Sequence, residues 1–195
     1  MFFKEKNIEK FFKKNIIILF ILIFVGFMLF YVIKIQDMLL EFFYQKEYNE
    51  YVEKYSDEYM VDENLIYAII KNESKFNPNA ISSSKAKGLM QIMDSTVEDV
   101  VNGIEELEYV LIDVFDPETN IHLGINYMSK LLKKYNNITS LAVAAYNAGF
   151  GNVDKWIEQG IIKKDGSNIE NIPFKETNLY VRKVLRDYEI FKTIN

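Results

Sequence analysis

One glutamate lies where a helical pattern predicts an apolar side chain. In the segment NLIYAIIKNESKFNP, one helix face carries Leu65, Ile66, Ile69 and Ile70. Glu73 follows on that same face, where burial and the negative end of the helix dipole should raise its pKa above about 4.3. A carboxylic acid that stays protonated near neutral pH can protonate the leaving oxygen of a glycosidic bond. The alternative is an exposed helix end, at which Glu73 points into water.

The composition excludes several other chemistries. The chain has 195 residues, of which 49% are hydrophobic, so it can form one globular domain with a real core. It has no Cys, which excludes disulfides, thiolate metal sites and a Cys nucleophile. The single histidine, His122, cannot form a His-rich metal cluster and is expected to be a surface or half-buried helix residue. No Gly-rich phosphate loop is present, so nucleotide chemistry is unsupported.

A long apolar segment lies near the N-terminus. Asn15–Ile33 contains no charge, and as a helix it would span roughly 28 Å, close to the ~30 Å hydrocarbon core of a bilayer. We therefore predict a single transmembrane helix over residues 15–35. One alternative is a cleaved signal peptide, but the apolar run is long and no small-residue cleavage site follows it. The other alternative, a buried core helix, fits poorly with a Lys-rich flank.

Charge predicts the orientation of this helix. Residues 1–14 contain five Lys and two Glu, and such a Lys bias places the N-terminus in the cytoplasm and the rest of the chain outside. Of the 23 basic residues, six precede Ile35, and of the 28 acidic residues, two do, so the remainder carries a net charge of −9. An acidic surface of this kind is unfavourable for binding nucleic acid.

The outer part of the chain reads as mainly α-helical. Residues 36–59 are expected to form a helical stalk or linker, and residues 60–195 a catalytic domain. Asp62 is the predicted cap of the helix that carries Glu73, and this helix should stop near Asn77-Pro78. Further helices are predicted through Met90, Met93, Val97, Val100 and Val101, from Asp116-Pro117 to Tyr135, over TSLAVAAYNAG up to Gly149, and from Val181 to Phe191. The segment ISSSKAKG should be a loop.

Three motifs occur in this outer part. They are ESKFNPNAISSSKAKGLMQIM (73–93), AAYNAGFGNV (144–153) and IPFKETNLYV (172–181), with DPETNIHLGINYMSKLL between the first two. In this order, they resemble the motifs of lytic transglycosylases related to the soluble lytic murein transglycosylase (SLT). The likeness covers roughly residues 60–192. It implies a mainly α, lysozyme-like domain of the goose-type lysozyme/SLT class, preceded by the transmembrane helix.

The resemblance also implies the roles of individual residues. Glu73 would be the sole catalytic acid and base, with Ser74 beside it holding the local backbone. The positions implied to bind or orient the sugar are Ser74, Ser82, Gln91, Met93, Tyr146, Asn147, Glu176 and Tyr180. Each has a purely structural alternative: Met90 or Met93 can be core, Tyr146 a packed aromatic, Ser82 a loop residue, and Glu176 a helix-capping residue.

The chain departs from the family pattern at two places beside the implied cleft. Asp94 follows GLMQIM where the family usually has Pro. Lys85 and Lys87 flank Ala86 where the family tends to have small residues. These differences concern the shape of the loop and the register of the substrate more than the acid itself.

The implied substrate is the glycan strand of peptidoglycan. The family's reaction cleaves the β-1,4 bond between N-acetylmuramic acid and N-acetylglucosamine without water and leaves 1,6-anhydromuramyl ends. It requires no metal or organic cofactor. The predicted helix implies contact with a membrane, and the sequence indicates no particular protein partner. The implied location is the wall side of a bacterial cell membrane.

Two other functions stay open on sequence alone. A hydrolytic muramidase of the goose-lysozyme type would need a second carboxylate to position water, for which Asp94, Asp99 and Asp113 are candidates. A membrane-tethered glycan-binding protein without catalysis is the other, although the presence of Glu73 argues against a dead site.

Overall fold

The computed structural model describes residues 2–101 and 113–194, apart from the side chains of residues 2–12, 99 and 101. The chain forms two compact units, Met1–Gln45 and Lys46–Asn195. Each unit has its own helical structure.

The first unit is one long helix, α1 (Phe2–Phe43). At about 1.5 Å per residue, its 42 residues extend about 63 Å, roughly twice the apolar thickness of a bilayer. The part from Lys13 to Phe43 is long and apolar enough to cross a membrane, and its apolar side chains are exposed. No break in the helix marks the predicted boundary at residue 35, so the assignment of 15–35 to the membrane stays a prediction.

The second unit contains seven α-helices in the part of the chain that the structure describes. They are α2 (Asn49–Tyr59), α3 (Glu63–Glu73), α4 (Asp94–Val101), α5 (Pro117–Lys134), α6 (Thr139–Ala148), α7 (Phe150–Glu158) and α8 (Lys175–Thr193). A short 3₁₀ turn, Ile169–Asn171, precedes α8. Extended pairing within the described residues is limited to two isolated bridges, Ile81 with Lys87 and Lys87 with Ile92. The predicted mainly α class is confirmed.

Capping residues start the helices where the sequence predicts. Asp62 accepts a hydrogen bond from the backbone N–H of Asn64 at 2.9 Å and caps α3. Asp116 accepts one from the N–H of Thr119 at 2.9 Å, and Pro117 occupies the first turn of α5. These starts depend only on local chain chemistry, and both predictions are confirmed.

Helix α3 is the central element of the second unit. Every residue from Leu65 to Ile70 is at most 2% exposed, so all faces of the helix are covered. Its most extensive packing is against α8, and it also contacts α2. The predicted apolar stripe is therefore a helix buried on all sides. This burial brings Glu73, the last residue of α3, to the edge of the core.

The predicted stalk is divided between the two units. Residues 36–43 continue α1, whereas α2 packs against α5 within the second unit. This packing buries His122 to 8% exposure, against the expectation of a surface or half-buried residue. The Tyr55 ring stacks on its imidazole at 4.1 Å, and the Tyr59 hydroxyl lies 2.7 Å from Nε2. The predicted domain boundary at residue 60 stays a prediction.

The helix predicted from Met90 onwards begins later than expected. Residues 88–91 form a turn, and the backbones of Lys87 and Ile92 pair at 2.9–3.0 Å before α4 begins at Asp94. Gln91 has a left-handed φ of 50°, which interrupts any helix at this point. Helix α3 likewise ends at Glu73, ahead of Asn77-Pro78, because Lys75 and Phe76 are both left-handed.

A single buried amide holds this turn in place. Asn120 Oδ1 accepts from the Met90 N–H at 2.7 Å, and Nδ2 donates to the carbonyls of Lys87 at 3.0 Å and Val114 at 2.8 Å. Gly88 has a φ of +76°, and a Cβ there would collide with the Asn120 amide. Three backbone groups thus depend on one side chain of α5.

Replacing this amide should be costly. Asn120→Ala leaves the N–H of Met90 and the carbonyl of Val114 without this partner in the interior, whereas the carbonyl of Lys87 keeps its bond from the Ile92 N–H. We therefore expect the free energy of unfolding of residues 46–195 to fall by about 2–4 kcal/mol. Asn152→Ala is the matched control, because its Nδ2 makes a single bond, to the Ala148 carbonyl at 2.7 Å. Urea denaturation measures both variants, and equal losses would contradict the role given to Asn120.

Candidate active site

A cavity of about 250 Å³ opens beside the end of α3. Its walls come from five helices, α3, α4, α5, α6 and α8, and the loop between α3 and α4. The lining residues are Glu73, Ser82, Ser83, Ser84, Ala86, Gln91, Ile92, Met93, Thr96, Tyr127, Tyr146, Asn147 and Glu176. The cavity therefore brings together seven of the nine residues that the sequence singles out. The other two, Ser74 and Tyr180, do not line it.

Glu73 is a half-buried carboxyl in the wall of this cavity. Burial raises its pKa to about 7, and the nearby negative charge of Glu176 acts in the same direction. An interaction with the Tyr180 hydroxyl lowers the pKa and partly offsets these effects. A carboxyl with these properties is partly protonated at neutral pH, which suits an acid that must both give and take a proton.

Tyr180 lies behind Glu73. It is 9% exposed, and its hydroxyl makes no hydrogen bond of normal geometry within the described residues. The hydroxyl and the Glu73 carboxyl are nonetheless close enough to affect each other, and burial together with the Glu73 charge raises the pKa of Tyr180 well above its usual value. Tyr180 can therefore act on Glu73 only as a neutral phenol. It lies in the wall behind the acid, away from the cavity surface.

Ser74 ends α3. Its backbone N–H and its hydroxyl both donate to the carbonyl of Ile70, at 3.0 and 3.2 Å. The residue closes the last turn of the helix, which orients Glu73 one position before it. Its contacts are those of a backbone support.

Tyr146 of α6 lines the cavity, and its hydroxyl proton is already donated in a hydrogen bond. Its hydroxyl donates to the carbonyl of Met90 at 2.8 Å, and its ring packs against Tyr127 with centroids 5.6 Å apart. Burial first, and the Glu73 charge second, raise the pKa of Tyr146 well above its usual value. The phenol stays neutral, and its oxygen lone pairs are what it can offer to an acid or a sugar hydroxyl.

The loop from residue 81 to 93 forms one wall of the cavity. Gln91 Nε2 donates to the carbonyls of Ala80 at 3.1 Å and Gly88 at 2.9 Å. Ser82 Oγ accepts from the N–H of Ala86 at 3.0 Å. Both polar side chains thus shape the loop as well as lining the cavity. Of the two methionines, Met90 is fully buried, whereas Met93 is 45% exposed and lines the cavity.

Two of the residues that depart from the family pattern, Lys87 and Asp94, form an ion pair with each other. Lys87 Nζ lies 2.7 Å from Asp94 Oδ1, and this ion pair spans the turn at residues 88–93. The pair occurs where the family has a small residue and a proline. An exposed pair of this kind contributes about 0–1 kcal/mol, so its effect is to link the two ends of the turn. Lys85 is exposed and has a φ of 67°.

Of the three acids considered for positioning a water molecule in a hydrolytic reaction, two lie outside this cavity. Asp94 and Asp113 are exposed and do not line the cavity. Asp113 Oδ1 accepts from the N–H of Phe115 in its own loop. The Asp99 side chain lies outside the described residues. The second carboxyl in the cavity is instead Glu176, in the first turn of α8.

Sequence reasoning missed several wall residues, chiefly Tyr127 and Thr96. Tyr127 follows Ile125 by two positions and so lies off the apolar stripe of α5. A large aromatic side chain outside that stripe is a signal of a binding surface. Thr96 carries no comparable signal. It reaches the cavity because α4 begins at Asp94 rather than at Met90.

The raised pKa of Glu73 has a measurable cost in stability. Below its ordinary value of 4.5, the carboxyl is protonated in both the folded and the unfolded chain. Between pH 4.5 and about 7, the unfolded chain ionises first, so folding loses stability as the pH rises. Glu73→Gln removes this titration. We therefore expect the free energy of unfolding of the variant, minus that of wild type, to be about 3 kcal/mol larger at pH 9 than at pH 4. Urea titrations at both pH values measure it.

Glu170→Gln, at an exposed glutamate, controls for the substitution itself. A constant difference between wild type and Glu73→Gln over this pH range would mean that Glu73 is solvated like a surface acid.

Known proteins are similar to this chain in both sequence and fold. The family model of the Transglycosylase SLT domain matches residues 50–168. The soluble lytic murein transglycosylase of Escherichia coli (strain K12) is 35% identical over 140 residues, 71% of this chain and 22% of that protein. The membrane-bound lytic murein transglycosylase C of Edwardsiella ictaluri is 41% identical over 120 residues, 55% of this chain and 32% of that protein. The chain thus spans about a fifth to a third of the length of these relatives.

Solved structures of lytic transglycosylases have a similar fold. An inactive mutant of the lytic transglycosylase Slt from Pseudomonas aeruginosa superposes with a TM-score of 0.70 and 31% identity, covering 79% of this chain and 25% of that one. The 70-kDa soluble lytic transglycosylase in complex with bulgecin A gives a TM-score of 0.71 at 31% identity, with the same coverage. The predicted lysozyme-like fold and the family resemblance are confirmed: this chain belongs to the Transglycosylase SLT domain family.

Proposed function

We propose that this chain is a peptidoglycan lytic transglycosylase. It cleaves the β-1,4 bond between N-acetylmuramic acid and N-acetylglucosamine and leaves a 1,6-anhydromuramyl end. The observation that carries the proposal is Glu73, an acid whose pKa burial raises to about 7, in the wall of a cavity that it shares with Tyr146, Gln91 and Glu176. Family membership and the names of the relatives support the same activity.

Glu73 acts twice in this reaction. It first donates its proton to the bridging oxygen as the glycosidic bond breaks, and the neighbouring acetamido group or the distorted ring carries the positive charge. The Glu73 carboxylate then takes the proton of the muramyl 6-hydroxyl, whose oxygen bonds to the anomeric carbon. The acid is restored, no water is consumed, and the reaction as written needs no metal or organic cofactor.

The remaining residues bind and orient the sugar. Ser82, Gln91, Met93 and Asn147 would contact the substrate from the cavity wall, and the oxygen of Tyr146 would accept a hydrogen bond near Glu73. Glu176 would contact the sugar and Tyr180 would tune the acid from behind. Ser74 would hold the backbone of the last turn of α3.

A hydrolytic muramidase is the second candidate, because Glu176 places another carboxyl in the cavity. In that reaction, Glu176 would orient a water molecule toward the anomeric carbon. The relatives are named lytic transglycosylases, which favours the non-hydrolytic reaction. A glycan-binding protein without catalysis would have no need of an acid with a raised pKa, and it ranks last.

Helix α1 would anchor the enzyme in the cell membrane. The excess of Lys in residues 1–14 favours a cytoplasmic N-terminus, with residues 46–195 on the wall side. This side is where peptidoglycan lies. A membrane-bound enzyme of the same family, from Edwardsiella ictaluri, is among the relatives.

The products decide between the candidates. Residues 46–195 should release muropeptides with anhydro ends from purified sacculi, each lighter by one water than a hydrolysed end, as mass spectrometry would detect. Glu73→Gln should lower the rate at least about 100-fold, because the proton donor is lost, whereas Glu170→Gln should not. Hydrolysed ends would establish the muramidase, and equal digestion by wild type and Glu73→Gln would exclude both enzymes.

Two neighbours of Glu73 should shift the pH profile in opposite directions. If the protonated acid is the active form, kcat/KM falls above a pH of about 7. Glu176→Gln removes a negative charge that raises the pKa of Glu73, so this limit should move to lower pH. Tyr180→Phe removes an interaction that lowers it, so the limit should move to higher pH.

The direction of the shift is the readout, since both substitutions can also change the rate itself. Initial rates of sacculus digestion between pH 5 and 9, each normalised to its own maximum, measure it. Shifts in the same direction, or none, would contradict the account of the site.

A further inference from the structure

Asp187 of α8 is a buried carboxylate with a full set of donors. The residue is 2% exposed. Its Oδ2 accepts from Lys71 Nζ at 3.1 Å and from Asn72 Nδ2 at 2.9 Å. Its Oδ1 accepts from Arg186 Nε at 2.9 Å and Nη2 at 2.7 Å. Asp187 takes no part in the proposed reaction and lies outside the sequence motifs. Because burying a charge is costly unless it is paired, a buried carboxylate with this many partners indicates a specific role.

Two of these donors belong to the last turn of α3. Lys71 and Asn72 directly precede Glu73, the final residue of the helix. The Asn72 amide donates to the carbonyl of Ala68 at 2.8 Å as well as to Asp187, so it joins the helix to α8. A helix end frays where its backbone bonds run out, and here the chain turns left-handed at Lys75. The last turn therefore needs a contact from outside the helix.

The spacing along α8 connects this contact to the site. Glu176, Tyr180 and Asp187 follow one another at intervals of four and seven residues, which places them on one face of the helix. That face meets α3: Tyr180 and Glu176 act on the Glu73 carboxyl, and Asp187 binds the two residues before it. The position of α3 along α8 thus sets how Glu73 lies relative to Tyr180 and Glu176.

We propose that Asp187 is a positioning residue, which holds the last turn of α3 against α8 and so fixes the Glu73 carboxyl in the cavity wall. The inference rests on the proposed role of Glu73 as the acid. Asp187 does not line the cavity. It acts through Lys71 and Asn72, and a displacement of about 1 Å at a catalytic group can lower a rate about 100-fold.

The charge state of Asp187 suits this role. Burial raises its pKa, but the hydrogen bonds from Arg186, Asn72 and Lys71 outweigh burial and leave the pKa below its usual value. The carboxylate is therefore ionised at every pH at which Glu73 titrates. The other groups that face Glu73 are Glu176 and Tyr180 of α8, Tyr146 of α6 and Tyr127 of α5, and Asp187 contributes no titration of its own in that range.

Asp187→Asn in the full chain, held in detergent micelles, tests the inference. Hydrogen exchange should accelerate about tenfold at the amides of Ser74 and Lys75, which bond to Ile70 and Lys71. The kcat for sacculus digestion should fall about tenfold while KM changes less than about twofold, since the acid moves and the sugar contacts remain. Asp154→Asn is the matched control, because Asp154 of α7 accepts from Tyr135 and Lys134 at 2.9 Å, both at the C-terminal end of α5.

Asn72→Ala provides a second route if Asp187→Asn does not fold. It removes the amide link while keeping a residue that favours helix, and the same faster exchange and lower kcat are expected. The inference is overturned if a folded variant at either position matches Asp154→Asn in both measurements. If wild type and Glu73→Gln digest sacculi equally, the proposed function fails, and the exchange of Ser74 and Lys75 still tests the tie between α3 and α8.

Discussion

The loss of solvation at the Glu73 carboxyl is the constraint on which the rest of the site depends. Helix α3 is buried on every side from Leu65 to Ile70, and Glu73 lies one turn beyond, where the core meets the cavity. Ionising a carboxyl there costs free energy that a surface glutamate does not lose, and its pKa rises to about 7. The same burial that destabilises the folded chain at high pH keeps a proton available at neutral pH. Stability and the proposed chemistry are in this sense opposed at one side chain.

The polar groups around the acid are held by backbone contacts rather than by one another. Asn120 binds the Met90 N–H, the carbonyl of Met90 accepts from Tyr146, and Gln91 bonds to two carbonyls of its own loop. These hydrogen bonds orient the polar groups of the cavity wall without any sugar present, and such preorganisation favours electrostatic stabilisation of a transition state. Asp187 extends the same principle to the acid itself, because it secures the helix end that carries Glu73.

Local chemistry made much of this structure predictable. The caps at Asp62 and Asp116 and the glycine at the end of α6 need only their neighbours in the chain, and the helical face placed Glu73 next to the core. The turn at residues 88–91 could not be predicted in this way, since Met90 and Met93 match helical spacing and the side chain that holds the turn, Asn120, is distant in the sequence. Burial of His122, the place of Tyr127 in the cavity wall and the contact of Asp187 with α3 likewise depend on which helices pack together.

The central claim is that Glu73 is a desolvated acid, and its titration can be observed without any substrate. The carboxyl carbon of Glu73 in a ¹³C-labelled chain, assigned by its absence from the spectrum of Glu73→Gln, reports its ionisation directly by NMR. We expect a midpoint near pH 7. A midpoint near the ordinary value of 4.5 would contradict it, and the reading of the cavity as an acid–base site would fail with it.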